Sequence, residues 1–247
     1  MVHMAALDRR DFLRALGSIG AFALVSQLAV ACSPAREGEP VSTAPVAAAA
    51  GDAVPLPEPV KKGSLSVEEA LARRRSIRAY SGKALTLQEV SQLLWAAQGV
   101  TSSRGYRRAP SAMASFPLQT YLIAVNVEGL GAGIYRFKPS GHALEPLRLG
   151  DFRAELTYAR MGGYFVQGGA VYIVFSADPA RTLSGDAGAK YVAMEAGHAA
   201  QNVYLQATAL GLGTVVNGGF SAERTREILD LSPEEEPLYW MPVGRVA

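Results

Sequence analysis

An α+β sandwich is the fold class this sequence predicts, and three stretches predict it. Ala170 to Ser176, centred on Val-Tyr-Ile-Val-Phe, is an unbroken apolar run of strand length, the pattern of a strand covered on both faces. Ile134 to Lys138 alternates and pairs with Ala143 to Leu149 across the turn Pro139-Ser140-Gly141, which makes a hairpin. Ala187 to Leu210 is the longest helical stretch, small and apolar on most sides, and it stops at Gly211. A helix of that composition is expected to be buried in a core or at a subunit interface. Strands and helices alternate along the domain without a repeat.

The remaining elements follow in order. Ser66-Val67-Glu68-Glu69 is a capping box that opens a short helix, and the helix delivers Arg74 and Arg75 at its end. Thr86-Leu87-Gln88-Glu89 is a second box, opening a helix with Val90, Leu93, Leu94 and Ala97 on one face and Gly99 at its close. Thr101 to Ala109 is a polar, basic loop, and Pro110 to Pro117 is a run of small residues between prolines. Gln119 to Val127 reads as a buried strand and Asp151 to Arg160 as a helix. Thr214 to Phe220 is expected to be a strand carrying a glycine pair, followed by a helix over Ser221 to Leu229. Ser232 to Glu235 is expected to form a short helical turn, and Tyr239 to Val243 a closing strand.

The first 62 residues have a different character. Arg9-Arg10-Asp11-Phe12-Leu13 precedes a moderately apolar run to Ala31, too short and glycine-broken for a membrane span. The layout resembles a twin-arginine export signal, a route that carries proteins already folded. Residues 1–31 are therefore read as a signal peptide. Either Ala29-Val30-Ala31 is a plain cleavage site, or Leu28 to Cys32 is a lipoprotein signal that leaves Cys32 lipidated. Residues 32–62, rich in Ala, Pro, Gly and Glu, read as a disordered tether, and 63–247 as the working domain.

Composition excludes several functions. The chain of 247 residues is 49% hydrophobic and carries a net charge of +2, too small to argue for nucleic acid. The single cysteine rules out an intrachain disulfide, and His3, His142 and His198 lie far apart, without metal-site spacing. Gly211-Leu212-Gly213 begins like a dinucleotide fingerprint but ends a helix instead of starting one. There is no phosphate loop with Gly-Lys-Ser/Thr and no Gly-x-Ser-x-Gly elbow.

What remains is a basic cluster. Arg74-Arg75-Ser76-Ile77-Arg78 places three guanidinium groups and a hydroxyl within five residues, just before the turn at Ser81-Gly82. Such forks suit a phosphate through paired, charge-assisted hydrogen bonds; the plain alternative is a solvated basic turn. Together with the Pro110-Ser111 loop, Glu-Ala-Gly-His-Ala-Ala-Gln-Asn, Ala-Leu-Gly-Leu-Gly-Thr, Gly-Gly-Phe and Pro-Val-Gly-Arg, in that order, the cluster resembles the flavin-dependent nitroreductase family. It is most similar to that family's SagB/ThcOx-type dehydrogenase branch, over roughly Leu65 to Arg245.

The resemblance implies a homodimeric sandwich with a mostly antiparallel sheet flanked by helices, and FMN bound at each of two interface sites. Arg74, Arg75, Ser76 and Arg78 match the loop that holds the FMN phosphate and reaches the ribityl and pyrimidine edge. Pro110, Ser111 and Ala112 match the loop lining the isoalloxazine, with Met113 where the branch usually has the glycine of Gly-Ala-x-Tyr. Gly218 and Gly219 match a turn whose amide meets the flavin near N5, expected from the other subunit, and Arg245 a terminal basic residue that reaches the phosphate.

Lys190-Tyr191 resembles the Lys-Tyr pair of azoline-oxidising dehydrogenases. Either Lys190, lowered by burial, is a general base, or it caps the helix start with Tyr191 packed beneath. His198 is expected to be a hydrogen-bonded core residue, and Tyr164-Phe165 to be either core or a lid. The function implied is an exported FMN-dependent oxidoreductase that transfers hydride at flavin N5, its electron donor and its small-molecule or peptide substrate unspecified. The competing class is a non-enzymatic flavin- or ligand-binding exported lipoprotein.

Overall fold

The computed structural model describes residues 51–158 and 168–247. The twin-arginine stretch, Cys32 and Tyr164-Phe165 lie outside the described residues. The strands are β1 (Val54–Pro55), β2 (Leu85–Thr86), β3 (Leu118–Ala124), β4 (Val127–Glu128), β5 (Gly133–Lys138), β6 (Ala143–Leu149), β7 (Val171–Ala177), β8 (Leu212–Thr214) and β9 (Glu236–Arg245). The helices are α1 (Val67–Arg73), α2 (Leu87–Gln98), α3 (Arg153–Tyr158), α4 (Gly185–Ala209) and α5 (Ala222–Leu229). Seven strands form one sheet in the order β1-β6-β5-β3-β7-β9-β8, every neighbouring pair antiparallel. β2 and β4 make a separate parallel pair.

The alternation of side chains across the pleat divides the core in two. Leu122, Ile173 and Met241 face one side, where they pack with Leu93 and Leu94 of α2 and Ala196, Ala199 and Val203 of α4. Tyr121, Ile123, Tyr172, Val174 and Trp240 face the other, against Phe152 and Leu156 and the α5 residues Ile228 and Leu229. β7 is buried along its whole length, which is why its sequence shows no polar alternation. Both capping boxes form: Ser66 Oγ and Thr86 Oγ1 accept from the Glu69 and Glu89 amides, while each glutamate returns a bond to the cap's own N–H.

Several expectations are corrected. The packed domain begins upstream of Gly63: β1 pairs with β6, Leu56 is buried, and Gln92 holds Val60 through both its amide groups. A two-residue edge strand containing a proline shows no period, so composition alone hid it. In place of the strand expected over Thr214 to Phe220 stands β8, which begins two residues earlier and already ends at Thr214. Past Thr214 the chain leaves the sheet, touching β9 again through the Asn217–Trp240 bridge. Residues 232–235 close as a turn, with the Glu235 amide donating to Ser232 O at 3.0 Å, and not as a helix. β9 is twice the expected length, running beyond Tyr239 to Val243 at both ends; Pro237 made its start read as loop. α4 buries only one stripe, and His198 lies on its exposed side instead of in the core.

Candidate functional site

α1 ends at Arg73, and Arg74 leaves the helix with φ −52° and ψ 129°, so the chain turns off the helical path at that residue. The backbone bond Ile77 N to Thr214 O, 2.9 Å, docks the segment that follows on β8. Tyr80 locks its far end, the phenol donating to Ile77 O at 2.7 Å and lying 3.2 Å from Pro242 O; burial pushes that phenol up from its ordinary value. The approach depends on Gly213, where a Cβ would lie 2.6 Å from Ile77 Cγ2. Glycine is there to let two chains touch.

Docked in this way, the basic cluster faces outward. Arg75 and Arg78 are exposed and Arg74 is half-buried, its guanidinium 5.1 Å from the centre of the Tyr204 ring. Arg75 Nη1 donates to the Ala72 and Arg74 carbonyls, which fixes its side chain over the helix end. Among the described residues, no carboxylate pairs with Arg74, Arg75 or Arg78. Three uncompensated cations beside the exposed Ser76 hydroxyl are a donor set for an anion such as a phosphate monoester.

The same chain brings the glycine turn alongside. Val215 to Phe220 follows directly from β8, and the Val216 amide and Ser76 Oγ both bond one atom, Tyr204 Oη. Gly218 and Gly219 are exposed, and a Cβ at Gly218 would meet nothing within 4 Å, so a flat ligand can approach its backbone. Within one chain the head of this turn thus lies beside the arginine loop, because both dock on β8.

The Pro110–Met113 loop is elsewhere. Its anchors are Ser115 Oγ to Thr182 Oγ1 at 3.1 Å, Phe116 N to Ser111 Oγ at 2.9 Å, and the Arg107 guanidinium 5.3 Å from the Phe116 ring. Beneath it lies Glu195, which is 2% exposed, with Oε1 lacking any hydrogen-bond partner. Burial pushes the Glu195 carboxyl up, against the opposing pull of Ser111, Arg107, the Leu118 backbone and His198. Glu195 and Tyr204 are nine residues apart on α4, two and a half turns, so they flank its buried stripe on opposite edges, about 13 Å apart along the axis. The Pro-Ser loop and the arginine loop therefore meet α4 on opposite edges, two and a half turns apart.

Two further residues depart from expectation. Arg245 does not point at the basic cluster: its Nη2 is 3.0 Å from Glu89 Oε2 and its Nε donates to Ala84 O, tying β9 to the start of α2. Lys190 and Tyr191 are both exposed on α4, so this protomer does not supply the burial that a lysine base requires. The residues that sequence reasoning missed are Tyr204 and Glu195. Tyr204 is one of two tyrosines in the alanine-rich α4, and Glu195 the one acid in the quoted Glu-Ala-Gly-His motif; each had a signal.

An antiparallel sheet with helices on both faces, carrying an anion loop and a bare glycine turn on one edge, defines a ligand-binding α+β domain. Residues 71–245 match the Nitroreductase family, and the chain belongs to that family. A protein of Methanocaldococcus jannaschii whose name places it among nitroreductases is 42% identical over 183 residues, covering 73% of this chain and 91% of its own. A Ralstonia eutropha JMP134 structure, described in the same terms, superimposes with a TM-score of 0.72 at 32% identity, covering 82% of this chain and 93% of that one. A Desulfovibrio desulfuricans structure solved in complex with FMN shares the fold, with a TM-score of 0.53 at 23% identity over 73% of this chain and 86% of that one.

Proposed function

We propose that the protein is an exported, homodimeric FMN-dependent oxidoreductase of the SagB-type branch, passing hydride through flavin N5 in two half-reactions. The observation that carries this reading is the docking of the unpaired arginine loop and the glycine turn on one strand of a nitroreductase fold. The fit to FMN rests on three arginines without carboxylate partners, a serine hydroxyl beside them, and a turn free of side chains. Bound FMN supplies a two-electron hydride acceptor and donor at N5. Arg74, Arg75, Ser76 and Arg78 hold the phosphate end, while Gly218 and Gly219 offer backbone to the ring. Pro110, Ser111, Ala112 and Met113 of a second copy cover the other face, in keeping with the homodimeric reading.

Lys190, beside Tyr191, takes the substrate proton when a ring or peptide is oxidised, and a second subunit supplies the burial it needs. Replacing Lys190 with Ala abolishes such oxidation and leaves flavin reduction by a chemical donor intact. Oxidation that survives the change removes the base role. The export reading places the domain outside the cytoplasm, in the periplasm or tethered through lipid at Cys32. Changing Arg9 and Arg10 to Lys should strand the chain inside the cell.

The primary test is an absorption spectrum of the purified full chain, with the released chromophore identified. Bands of bound flavin, released as FMN at about one per chain, are the expected result. A colourless protein that refuses added FMN overturns the reading in favour of a non-flavin binding protein.

A further inference from the structure

We propose that Tyr204 is a positioning residue that sets the geometry of the cofactor's phosphate end; the proposal rests on the FMN reading above. Three contacts meet on this side chain. The Val216 amide donates to Tyr204 Oη at 2.8 Å, Ser76 Oγ lies 3.1 Å from the same oxygen, and the Arg74 guanidinium sits 5.1 Å above the ring. The ring is 9% exposed and belongs to the core packed under the sheet, so it is a fixed post and not a mobile arm. One rigid phenol thus touches a phosphate-loop hydroxyl, a phosphate-loop guanidinium and the first amide of the glycine turn.

The proton order follows from the chemistry of the three groups. The Val216 N–H can only donate, so Oη accepts there. Of the two hydroxyls, a phenol is by its chemistry a far better donor than an aliphatic alcohol. The Tyr204 hydrogen therefore goes to Ser76 Oγ, and the serine's own hydrogen is turned outward, toward solvent beside Arg75 and Arg78. A hydroxyl that already accepts a hydrogen bond is polarised into a better donor. Ser76 is thereby presented as a donor, which favours an acceptor-only oxygen such as that of a phosphate dianion over a ligand hydroxyl. Tyr204 acts on the ligand through Ser76 and Arg74, without touching it.

The test uses the full chain freed of flavin and titrated with FMN and with riboflavin, which lacks the phosphate, following the quenching of flavin fluorescence. Tyr204→Phe keeps the ring and removes only the oxygen. The expected result is FMN binding weakened about tenfold, as for loss of a bond serving a charged group, with riboflavin changed less than threefold. Ser76→Ala, on an exposed residue whose loss leaves the fold alone, should lower the preference for FMN over riboflavin by a similar factor. The double variant should be no worse than the weaker single one, since the two hydroxyls form one chain. A Tyr204→Phe protein that binds FMN as tightly as wild type, or loses both flavins equally, overturns the Tyr204 role while wild-type FMN binding stands. So does a Ser76→Ala protein with unchanged preference, which decides the matter if the tyrosine variant fails to fold. A wild type that binds neither flavin takes down the FMN reading, and this proposal with it.

Discussion

Met113 adopts φ 54° and ψ 19°, the left-handed region, and Ala114 and Phe116 follow at φ 54° and 45°. A side chain there crowds its own carbonyl and costs about 1–2 kcal/mol, while glycine does not. Met113 is also 66% exposed, so its side chain contributes little packing to offset the strain. Met113→Gly should raise stability by about 0.5–1 kcal/mol after the added flexibility of the unfolded chain is counted, read from urea midpoints. An unchanged or lower midpoint would show that the methionine is held there by something worth more than the strain. Glu195 gives a second prediction at this scale. Its carboxyl is raised in the fold by burial, so the fold favours the protonated form. The stability it lends is fully present below the ordinary value of about 4.3 and is lost as pH rises through the raised one. Glu195→Gln cannot ionise and should gain on wild type as pH rises above about 4.3, levelling off once the raised value is passed. Parallel profiles for the two proteins would mean that Glu195 ionises in the fold as it does in the open chain. Both residues were visible in the sequence. What was not visible was the backbone angle of one and the burial of the other, each set by contacts distant in sequence.

At the scale of elements, the junction of the arginine loop with β8 organises the candidate site, and Gly213 permits it. Gly213→Ala places a methyl 2.6 Å from Ile77 Cγ2 and 2.9 Å from Ile77 Cβ, so the loop must lift from the strand. The expected outcome is a loss of about 1–3 kcal/mol in stability, as for other overpacked contacts, together with FMN binding weakened at least tenfold. A variant that keeps its FMN affinity would show that the loop does not need β8 to hold the phosphate. The capping boxes, the hairpin, β7 and α4 were legible beforehand, because each is specified by local chemistry: a cap four residues long, a turn, an apolar run. β1 and the start of β9 were not, since a two-residue strand has no period and a proline conceals pairing. Arg245 was read as a phosphate ligand from its place in a motif, yet its partner is Glu89, a residue 156 positions away in sequence.

At the scale of the molecule, the outward face of α4 carries Tyr191 and Met194, 38% and 48% exposed, with Lys190 and His198 beside them. The homodimer proposed above would cover this face and bring a second Pro-Ser loop to each arginine loop. Met194→Asp should then halve the mass seen by light scattering and lower FMN occupancy together; a wild type that is already monomeric and full of flavin would remove the dimer from the proposal. The sequence by itself determined the capped helices, the hairpin, β7, α4 and the family, because caps, apolar runs and short motifs are written in consecutive positions. The tertiary structure alone decided which of the candidate ligand-holding residues meet. Nine positions along α4 turn a side chain through half a circle, so Tyr204 and the arginine loop lie on one edge of the helix and Glu195 and the Pro-Ser loop on the other. No local pattern encodes that division, since it depends on how a helix is rolled against a sheet built from both ends of the domain.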